Sequence, residues 1–317
     1  MTTRRSFLAI TGAATLPSWA NGRKALRGIF PIMQTPFTES DKIDFPVLAK
    51  EVHFLDRCGV HGMVWPQLAS EYMTLSVDER MRGMEAILET AKGIRPAIVI
   101  GVQAPAAKQA QEYARRATRL GADAIIALPP QGLENNPEKG VVEYYKAVGE
   151  ASNLPLFVQA IGKMSLEFII GMSKEIPTLR YIKDEAGPTL NRITGFRQKA
   201  PNLNPMTGSH GKTLFDEMLR GSAGNMPAAS WADLYASAWD TFHAGERRQS
   251  AEMLARALLF VAEAELYGME AIKYVLHLRG IFPNWRARRG GAKEQFDDGA
   301  RAAIRELLEQ VKPFLKT

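Results

Sequence analysis

A lysine stands inside a stretch of the sequence that has the pattern of a buried strand. In TLRYIKDEAGP, residues 178–188, Lys183 follows an apolar run and comes shortly before a Gly-Pro pair that marks the end of a strand. Lysine is rarely buried without a partner, and burial disfavours its charged form, which is the condition for an amine to act as a nucleophile. Lys183 is therefore either a surface cation or a reactive amine.

Several polar side chains stand where they could meet Lys183. Because residues two apart on a strand share a face, Tyr181 and Glu185 point into the same space if Lys183 does. Four further polar residues end or follow other apolar runs, namely Thr35, Gln159, Ser70 and Glu71.

Other kinds of active site lack their sequence signatures. The five histidines are scattered, and no HExxH metal motif, GxSxG serine motif or GxGxxG nucleotide-binding turn occurs. We therefore predict neither a metal nor a cofactor. The single cysteine, Cys58, excludes an intrachain disulfide. What remains is amine chemistry, in which Lys183 attacks a carbonyl carbon and forms a Schiff base.

Strand-like and helix-like patterns alternate from residue 27 onward. Helical spacing is clear between the strands, for example in 76–93, which opens with a Ser76/Glu79 capping box. Eight such units, with strands that are continuously apolar, predict an α/β fold, a TIM (β/α)8 barrel over 27–230, rather than an open doubly wound sheet. The eight predicted strands are 27–37, 62–66, 96–102, 123–130, 154–161, 179–185, 202–209 and 221–229.

Strand patterns end after residue 230. The remaining residues, 231–317, are predicted to hold the last barrel helix and a carboxy-terminal helical appendage. No repeat or low-complexity linker divides the chain, so barrel and appendage are treated as one structural unit. The predicted helices are 231–245, 247–266, 269–279 and 295–314.

The amino terminus has the pattern of an export signal. Arg4 and Arg5 precede a moderately apolar run, and small residues around Ala20 offer a cleavage site. We therefore expect a twin-arginine signal peptide over 1–20, export to the periplasm, and no membrane association after cleavage. The alternative is an ordinary amphipathic helix.

Charge gives little indication of a macromolecular partner. The net charge is +6, yet acidic and basic residues are interspersed along the chain. The densest basic cluster, NWRARRGGAK at 284–293, is accompanied by no nucleic-acid recognition motif. We interpret it as a solvated face and predict no nucleic-acid binding.

Four motifs together resemble those of the dihydrodipicolinate synthase and N-acetylneuraminate lyase superfamily, and the likeness covers nearly all of residues 27–316. They are GIFPIMQTPF, SEYMTLSVDER, YIKDEAG, which is similar to the strand that bears the Schiff-base lysine, and GSAGNMPAAS. The resemblance implies a lyase that holds a pyruvate-like 2-keto acid as an imine on Lys183. It also implies a homo-oligomer, a tetramer.

The chain departs from the family pattern at two places. Residues 67–71 read QLASE where the family usually has GTTGE, and Gln159 stands at the position of a proton-relaying tyrosine. Because an amide cannot titrate, Gln159 argues against dihydrodipicolinate synthase activity itself. The Val-Gln of strand five, the Ser-Glu after strand two and KDEAGP resemble more closely the 2-keto-3-deoxy-L-arabonate dehydratase branch. That branch eliminates water from 2-keto-3-deoxy sugar acids. An aldolase that releases pyruvate, and an exported keto-acid-binding protein without turnover, are the alternatives.

The resemblance also implies roles for the candidate residues. Lys183 is the nucleophile, Glu185 or Glu71 is the base, and Gln159 orients the substrate. The predicted substrate-binding residues are Thr35, Ser70, Glu71, Gly208, Ser209 and Met226.

Overall fold

A barrel of eight parallel strands forms the centre of the molecule. The computed structural model describes residues 24–290 and 292–317; the predicted signal peptide, 1–20, lies outside the described residues. The strands are β1 (Gly28–Ile29), β2 (Gly62–Trp65), β3 (Ala97–Gly101), β4 (Ala124–Ala127), β5 (Leu156–Ala160), β6 (Leu179–Asp184), β7 (Asn204–Thr207) and β8 (Gly224–Asn225).

The strands pair in the order β1-β8-β7-β6-β5-β4-β3-β2. Ile32, just after β1, closes the ring through parallel bridges to Val64 of β2 and to Ala228. A helix follows each strand, so the predicted TIM barrel is confirmed. The barrel helices are α1 (Phe45–Cys58), α2 (Val77–Thr90), α3 (Ala107–Leu120), α4 (Val141–Glu150), α5 (Leu166–Glu175), α6 (Thr189–Lys199), α7 (Leu214–Leu219) and α8 (Ala232–His243).

Alternate residues of the strands fill two different cores. Inside the barrel, Val99, Ile126 and Phe157 belong to one buried apolar cluster. Residues such as Ile98 and Ile125 face outward and pack with the helices in a second cluster. Because both faces are covered, the strands have continuous apolar sequences, which is why their existence could be predicted.

The first and last strands are much shorter than predicted. Regular pairing covers two residues of 27–37 and two of 221–229. Prolines at 31, 36 and 227 lack the N–H group that a ladder requires. At β8 the backbones also approach closely, since a Cβ on Gly224 would lie 2.0 Å from the carbonyl oxygen of Gly28.

Three helices form the carboxy-terminal appendage, namely α9 (Arg247–Leu266), α10 (Gly268–Leu278) and α11 (Asp298–Val311). These helices and α8 pack around one hydrophobic core, and this core includes Trp231, Phe260 and Ile304. Within 24–290 and 292–317, no helix has the length and apolar character needed to cross a bilayer. The appendage lies against the barrel and contributes residues to the cavity described next.

Candidate active site

Lys183 lies near the carboxyl end of β6, where a parallel barrel gathers its functional side chains. It pairs in register with Gln159 of β5 on one side and Met206 of β7 on the other. Only 4% of its surface is exposed. Its Nζ donates a hydrogen bond to Glu185 Oε2 at 2.9 Å. The amine is therefore buried, but it has an acceptor for its proton.

Glu185 is held by donors on three sides. Its Oε2 also accepts from Gln159 Nε2 at 2.6 Å, and its Oε1 accepts from the backbone N–H of Ser209 at 3.3 Å. Burial opposes ionisation, but the Lys183 ammonium and these hydrogen bonds together hold the pKa of Glu185 below its usual value. Glu185 is therefore a carboxylate whose position is fixed beside the amine.

Gly208 makes room for this pair. A Cβ at this position would lie 2.1 Å from Glu185 Oε1 and 3.0 Å from Lys183 Cε. A side chain there would therefore force the carboxylate away from the amine.

A cavity of about 340 Å³ opens over the Lys183–Glu185 pair. Both barrel and appendage contribute to its walls. From the predicted set, Lys183, Glu185, Ser209 and Met226 line it. Residues of the appendage that sequence analysis did not predict also line it, namely Glu265, Met269, Ile272 and Arg289.

Thr35 and Ser70 lie beneath the cavity wall and use their hydroxyl groups within the protein. Thr35 Oγ1 donates to the carbonyl of Ser70 at 2.6 Å and accepts from Trp65 Nε1 at 3.0 Å. Ser70 Oγ donates to the carbonyl of Met33 at 2.6 Å. These bonds tie the loop after β1 to the loop after β2, so both residues shape the wall without facing the cavity.

Glu71 lies in a different cluster from Lys183. Its backbone is left-handed (φ 59°), and its buried carboxylate forms an ion pair with Lys273 of α10. The second carboxylate oxygen accepts from the backbone N–H groups of Arg288 and Arg289 at 2.7 and 2.6 Å. Glu71 therefore anchors the appendage, and Glu185 is the carboxylate in contact with the candidate nucleophile.

His210 lines the cavity next to Ser209. Burial lowers its pKa; the Glu265 carboxylate opposes this, and the cations Lys212 and Lys183 add to it. The neutral form of the imidazole is therefore favoured more than in an exposed histidine. Its Nε2 lies 4.0 Å from Glu265 Oε1, and its Nδ1 is buried without a hydrogen-bond partner among the described residues.

The arrangement suits amine chemistry on a small carbonyl compound. The amine can attack a carbon bound in the cavity, and Glu185 can accept the proton that the ammonium must lose first. Within the described ranges, no group of three His, Cys, Asp or Glu side chains is arranged to hold a metal ion.

Comparison with known proteins adds independent information. The sequence model of the dihydrodipicolinate synthetase family matches residues 25–302. An uncharacterized DapA-like lyase of Pyrococcus abyssi is 24% identical over 310 residues, which cover 91% of this chain and 100% of the relative. The L-2-keto-3-deoxyarabonate dehydratase of Azospirillum brasilense is 28% identical over 263 residues, which cover 74% of this chain and 84% of that enzyme.

The fold is also that of a solved structure. The crystal structure of dihydrodipicolinate synthase from Rhodopseudomonas palustris superimposes with a TM-score of 0.81. The superposition covers 90% of this chain and 97% of that one, at 24% sequence identity.

Proposed function

Since the chain belongs to the dihydrodipicolinate synthetase family of lyases, we propose that it binds a 2-keto acid as a Schiff base on Lys183. We propose further that it eliminates water from a 2-keto-3-deoxy sugar acid. The similarity to a dehydratase of a 2-keto-3-deoxy sugar acid over 84% of that enzyme supports this choice of substrate class.

The contact between Lys183 and Glu185 at the floor of a cavity carries the proposal. The amine has one ionised acceptor at 2.9 Å, and Gln159 holds that acceptor in place. A lysine kept only for charge balance would not need to face a cavity. The cavity volume of about 340 Å³ is at the lower end of the range of small-molecule sites.

The first step is formation of the imine. Glu185 accepts a proton from the Lys183 ammonium, and the neutral amine adds to the keto carbon. The resulting carbinolamine loses its hydroxyl group as water, which takes up the proton held by Glu185. The carbon–nitrogen double bond forms as a protonated iminium, and Glu185 is ionised again. Two atoms of the site thus suffice for this step, Nζ and Glu185 Oε2.

The second step is loss of water from the sugar acid. The iminium withdraws electrons from the neighbouring carbon, C3, so Glu185 can remove a proton there and leave an enamine. The nitrogen lone pair of the enamine then re-forms the iminium, and a double bond forms between C3 and C4 as the C4–oxygen bond breaks. The C4 hydroxyl group leaves as water with the proton that Glu185 gives back. Hydrolysis of the iminium then releases the product and regenerates Lys183.

Carbon–carbon cleavage is the second candidate reaction. It starts from the same iminium, but the proton is removed from the C4 hydroxyl group, and the bond between C3 and C4 breaks to leave the enamine of pyruvate. The observation in its favour is the His210–Glu265 pair on the cavity wall, which offers a second proton acceptor.

Product analysis tests the proposal. The protein is incubated with 2-keto-3-deoxy sugar acids of five and six carbons, and products are identified by mass spectrometry. A product that has lost one water and kept all its carbon atoms supports dehydration. Release of pyruvate would instead show carbon–carbon cleavage. Lys183→Ala should abolish either reaction, and Lys163→Ala, which removes an exposed lysine, should not. Binding of the keto acids without any product would support the non-catalytic alternative.

Twin-arginine export and tetrameric assembly complete the proposal. Arg4 and Arg5 ahead of an apolar run support export to the periplasm. Replacement of both by lysine should leave the protein in the cytoplasmic fraction, and an unchanged distribution would contradict export. The resemblance to the family supports the tetramer. Light scattering should then give four times the monomer mass.

A further inference from the structure

The charged groups around the cavity are paired, with one exception. Lys183 is paired with Glu185, and Glu265 is paired with Lys212 at 2.8 Å. Among the described residues, no carboxylate lies within 4.0 Å of the Arg289 guanidinium. Its one hydrogen bond within this part of the chain goes to the carbonyl of Leu68, at 3.3 Å. Arg289 is therefore a solvent-exposed cation at the cavity whose charge no described carboxylate neutralises.

The chain holds Arg289 at the cavity through its backbone. The segment 286–290, here termed the arginine strap, follows α10 and lies across the loop after β2. Glu71 accepts hydrogen bonds from two consecutive strap N–H groups, those of Arg288 and Arg289. Lys273 donates to Glu71 and to the carbonyl of Arg286 at 2.9 Å. A fully buried ion pair therefore positions the strap.

The two other arginines of the strap differ from Arg289. The Arg288 guanidinium binds the carboxylates of Glu79 and Asp41 and lies 4.1 Å from the centre of the Phe37 ring. Arg286 and Arg289 are both exposed, but Arg286 does not line the cavity. Arg289 is the only strap arginine whose side chain is both at the cavity and without a carboxylate.

A 2-keto acid brings a negative charge into this cavity. Its carboxylate is one bond from the keto carbon and must lie near Lys183 when the imine forms. The two carboxylates on the wall, Glu185 and Glu265, repel it, and the nearby wall residues Leu68 and Ala69 have apolar side chains. A guanidinium can bind a carboxylate with two parallel hydrogen bonds.

We infer that Arg289 binds the carboxylate adjacent to the keto carbon and so selects 2-keto acids over neutral ketones. This inference rests on the proposed function, because it assumes that a keto acid occupies the cavity. It assigns a substrate-binding role to a residue of the appendage, more than 100 positions from the nucleophile in the sequence.

Borohydride trapping with two ketones tests the role of Arg289. Pyruvate carries the carboxylate, and hydroxyacetone is a neutral ketone of similar size. Arg289→Gln should raise the pyruvate concentration for half-maximal trapping roughly 10- to 100-fold, the range for hydrogen bonds to charged groups. Trapping of hydroxyacetone should not change. Arg286→Gln, which removes the same charge from the same segment, should behave as the unaltered protein with both ketones.

The outcomes separate this inference from the proposed function. If the unaltered protein traps neither ketone, the proposed function fails. If it traps pyruvate and Arg289→Gln traps it equally well, the inference alone fails. Equal weakening with pyruvate and hydroxyacetone would show that Arg289 acts on the fold or on Lys183, and would also overturn the inference.

Discussion

Among the described residues, two lysine–glutamate pairs have a buried lysine, and only one of them faces the cavity. Lys183 and Glu185 meet under a cavity, where the Glu185 side chain is 22% exposed. Lys273 and Glu71 are fully enclosed. Both carboxylate oxygens of Glu71 are occupied, and Lys273 lies 4.3 Å from the centre of the Phe37 ring. Under the proposed function, access to a cavity distinguishes the reactive lysine from the structural one, since both lysines are buried and both are paired with a glutamate.

The electrostatics of the two pairs also differ. Burial lowers the pKa of Lys273, and the Glu71 carboxylate opposes this effect. In the Lys183–Glu185 pair, Lys183, Gln159 and Ser209 together outweigh the effect of burial and lower the pKa of Glu185. A buried ion pair that loses one partner leaves an uncompensated charge, whereas a pair at a cavity can be solvated. The four variants below use this contrast.

The largest expected effect is on activity, at the reactive pair. Lys183→Arg keeps the positive charge but removes the amine that forms the imine. We expect a loss of turnover of about 1,000-fold or more, of the size seen when a nucleophile is removed. Steady-state kinetics on the best substrate would measure it. Lys199→Arg, at a surface ion pair with Glu167, is the control, and substantial turnover by Lys183→Arg would contradict the account.

The second largest effect is on stability, at the enclosed pair. Lys273→Met leaves the Glu71 charge buried without its cation, which should lower the free energy of unfolding by about 3–5 kcal/mol. Denaturant unfolding would measure it. Adding Glu71→Gln removes the charge while keeping an oxygen for the strap N–H groups, so the double variant should recover much of the loss. A loss below about 1 kcal/mol, as for a surface pair, would contradict the assignment.

A third variant separates imine formation from proton removal. Glu185→Gln keeps the shape of the side chain but removes the acceptor of protons. We expect turnover to fall roughly 100- to 10,000-fold, the usual contribution of a general base. Pyruvate trapping at high pH should persist, because hydroxide can then take the proton that Glu185 would accept. Glu167→Gln is the control, and unchanged turnover by Glu185→Gln would exclude Glu185 as the base.

A fourth variant changes the geometry of the reactive pair alone. Gly208→Ala places a methyl group against Glu185 Oε1, so the carboxylate must move. We expect overpacking to lower the free energy of unfolding by about 1–3 kcal/mol and turnover to fall with it. Gly171→Ala, on α5 with open space around its Cβ, is the control: it should leave turnover unchanged and raise the free energy of unfolding by up to about 1 kcal/mol. Equal turnover by both variants would show that the position of Glu185 is not critical.

The smallest effect concerns acid stability. Because the folded-state pKa of Glu185 is below its unfolded value of about 4.5, its ionisation stabilises the fold above that pH. The contribution is lost as the pH falls through the folded pKa. The difference in unfolding free energy between the unaltered protein and Glu185→Gln should therefore be constant at neutral pH and shrink below about 4.5. A difference that grows in acid would contradict this direction.

The sequence predicted the barrel and the place of Lys183 because both depend on local patterns. Continuous apolar strands alternate with amphipathic helices, and the Gly-Pro pair shortly after Lys183 identifies the end of β6. The period of two along a strand also placed Glu185 on the same side as Lys183. Strand lengths were less predictable, because the short β1 and β8 depend on prolines and on close approach of two backbones.

The appendage's part in the site could not be predicted. Glu71 and Lys273 are about 200 positions apart, and no local pattern indicates that they meet. The prediction of a solvated face for the basic cluster at 284–293 is wrong for Arg288, which binds Glu79 and Asp41. Arg289 is the next residue, so local sequence cannot distinguish it from Arg288. The two side chains have different environments only because of the way the strap lies against the barrel.

Mapping the trapped imine tests the central claim most directly. The protein is incubated with pyruvate, reduced with borohydride, digested, and analysed by mass spectrometry for the modified lysine. The account predicts one adduct, on Lys183, and none on the enclosed Lys273. An adduct on any other lysine, or no adduct in protein that is folded and binds pyruvate, would contradict the claim that Lys183 is the nucleophile.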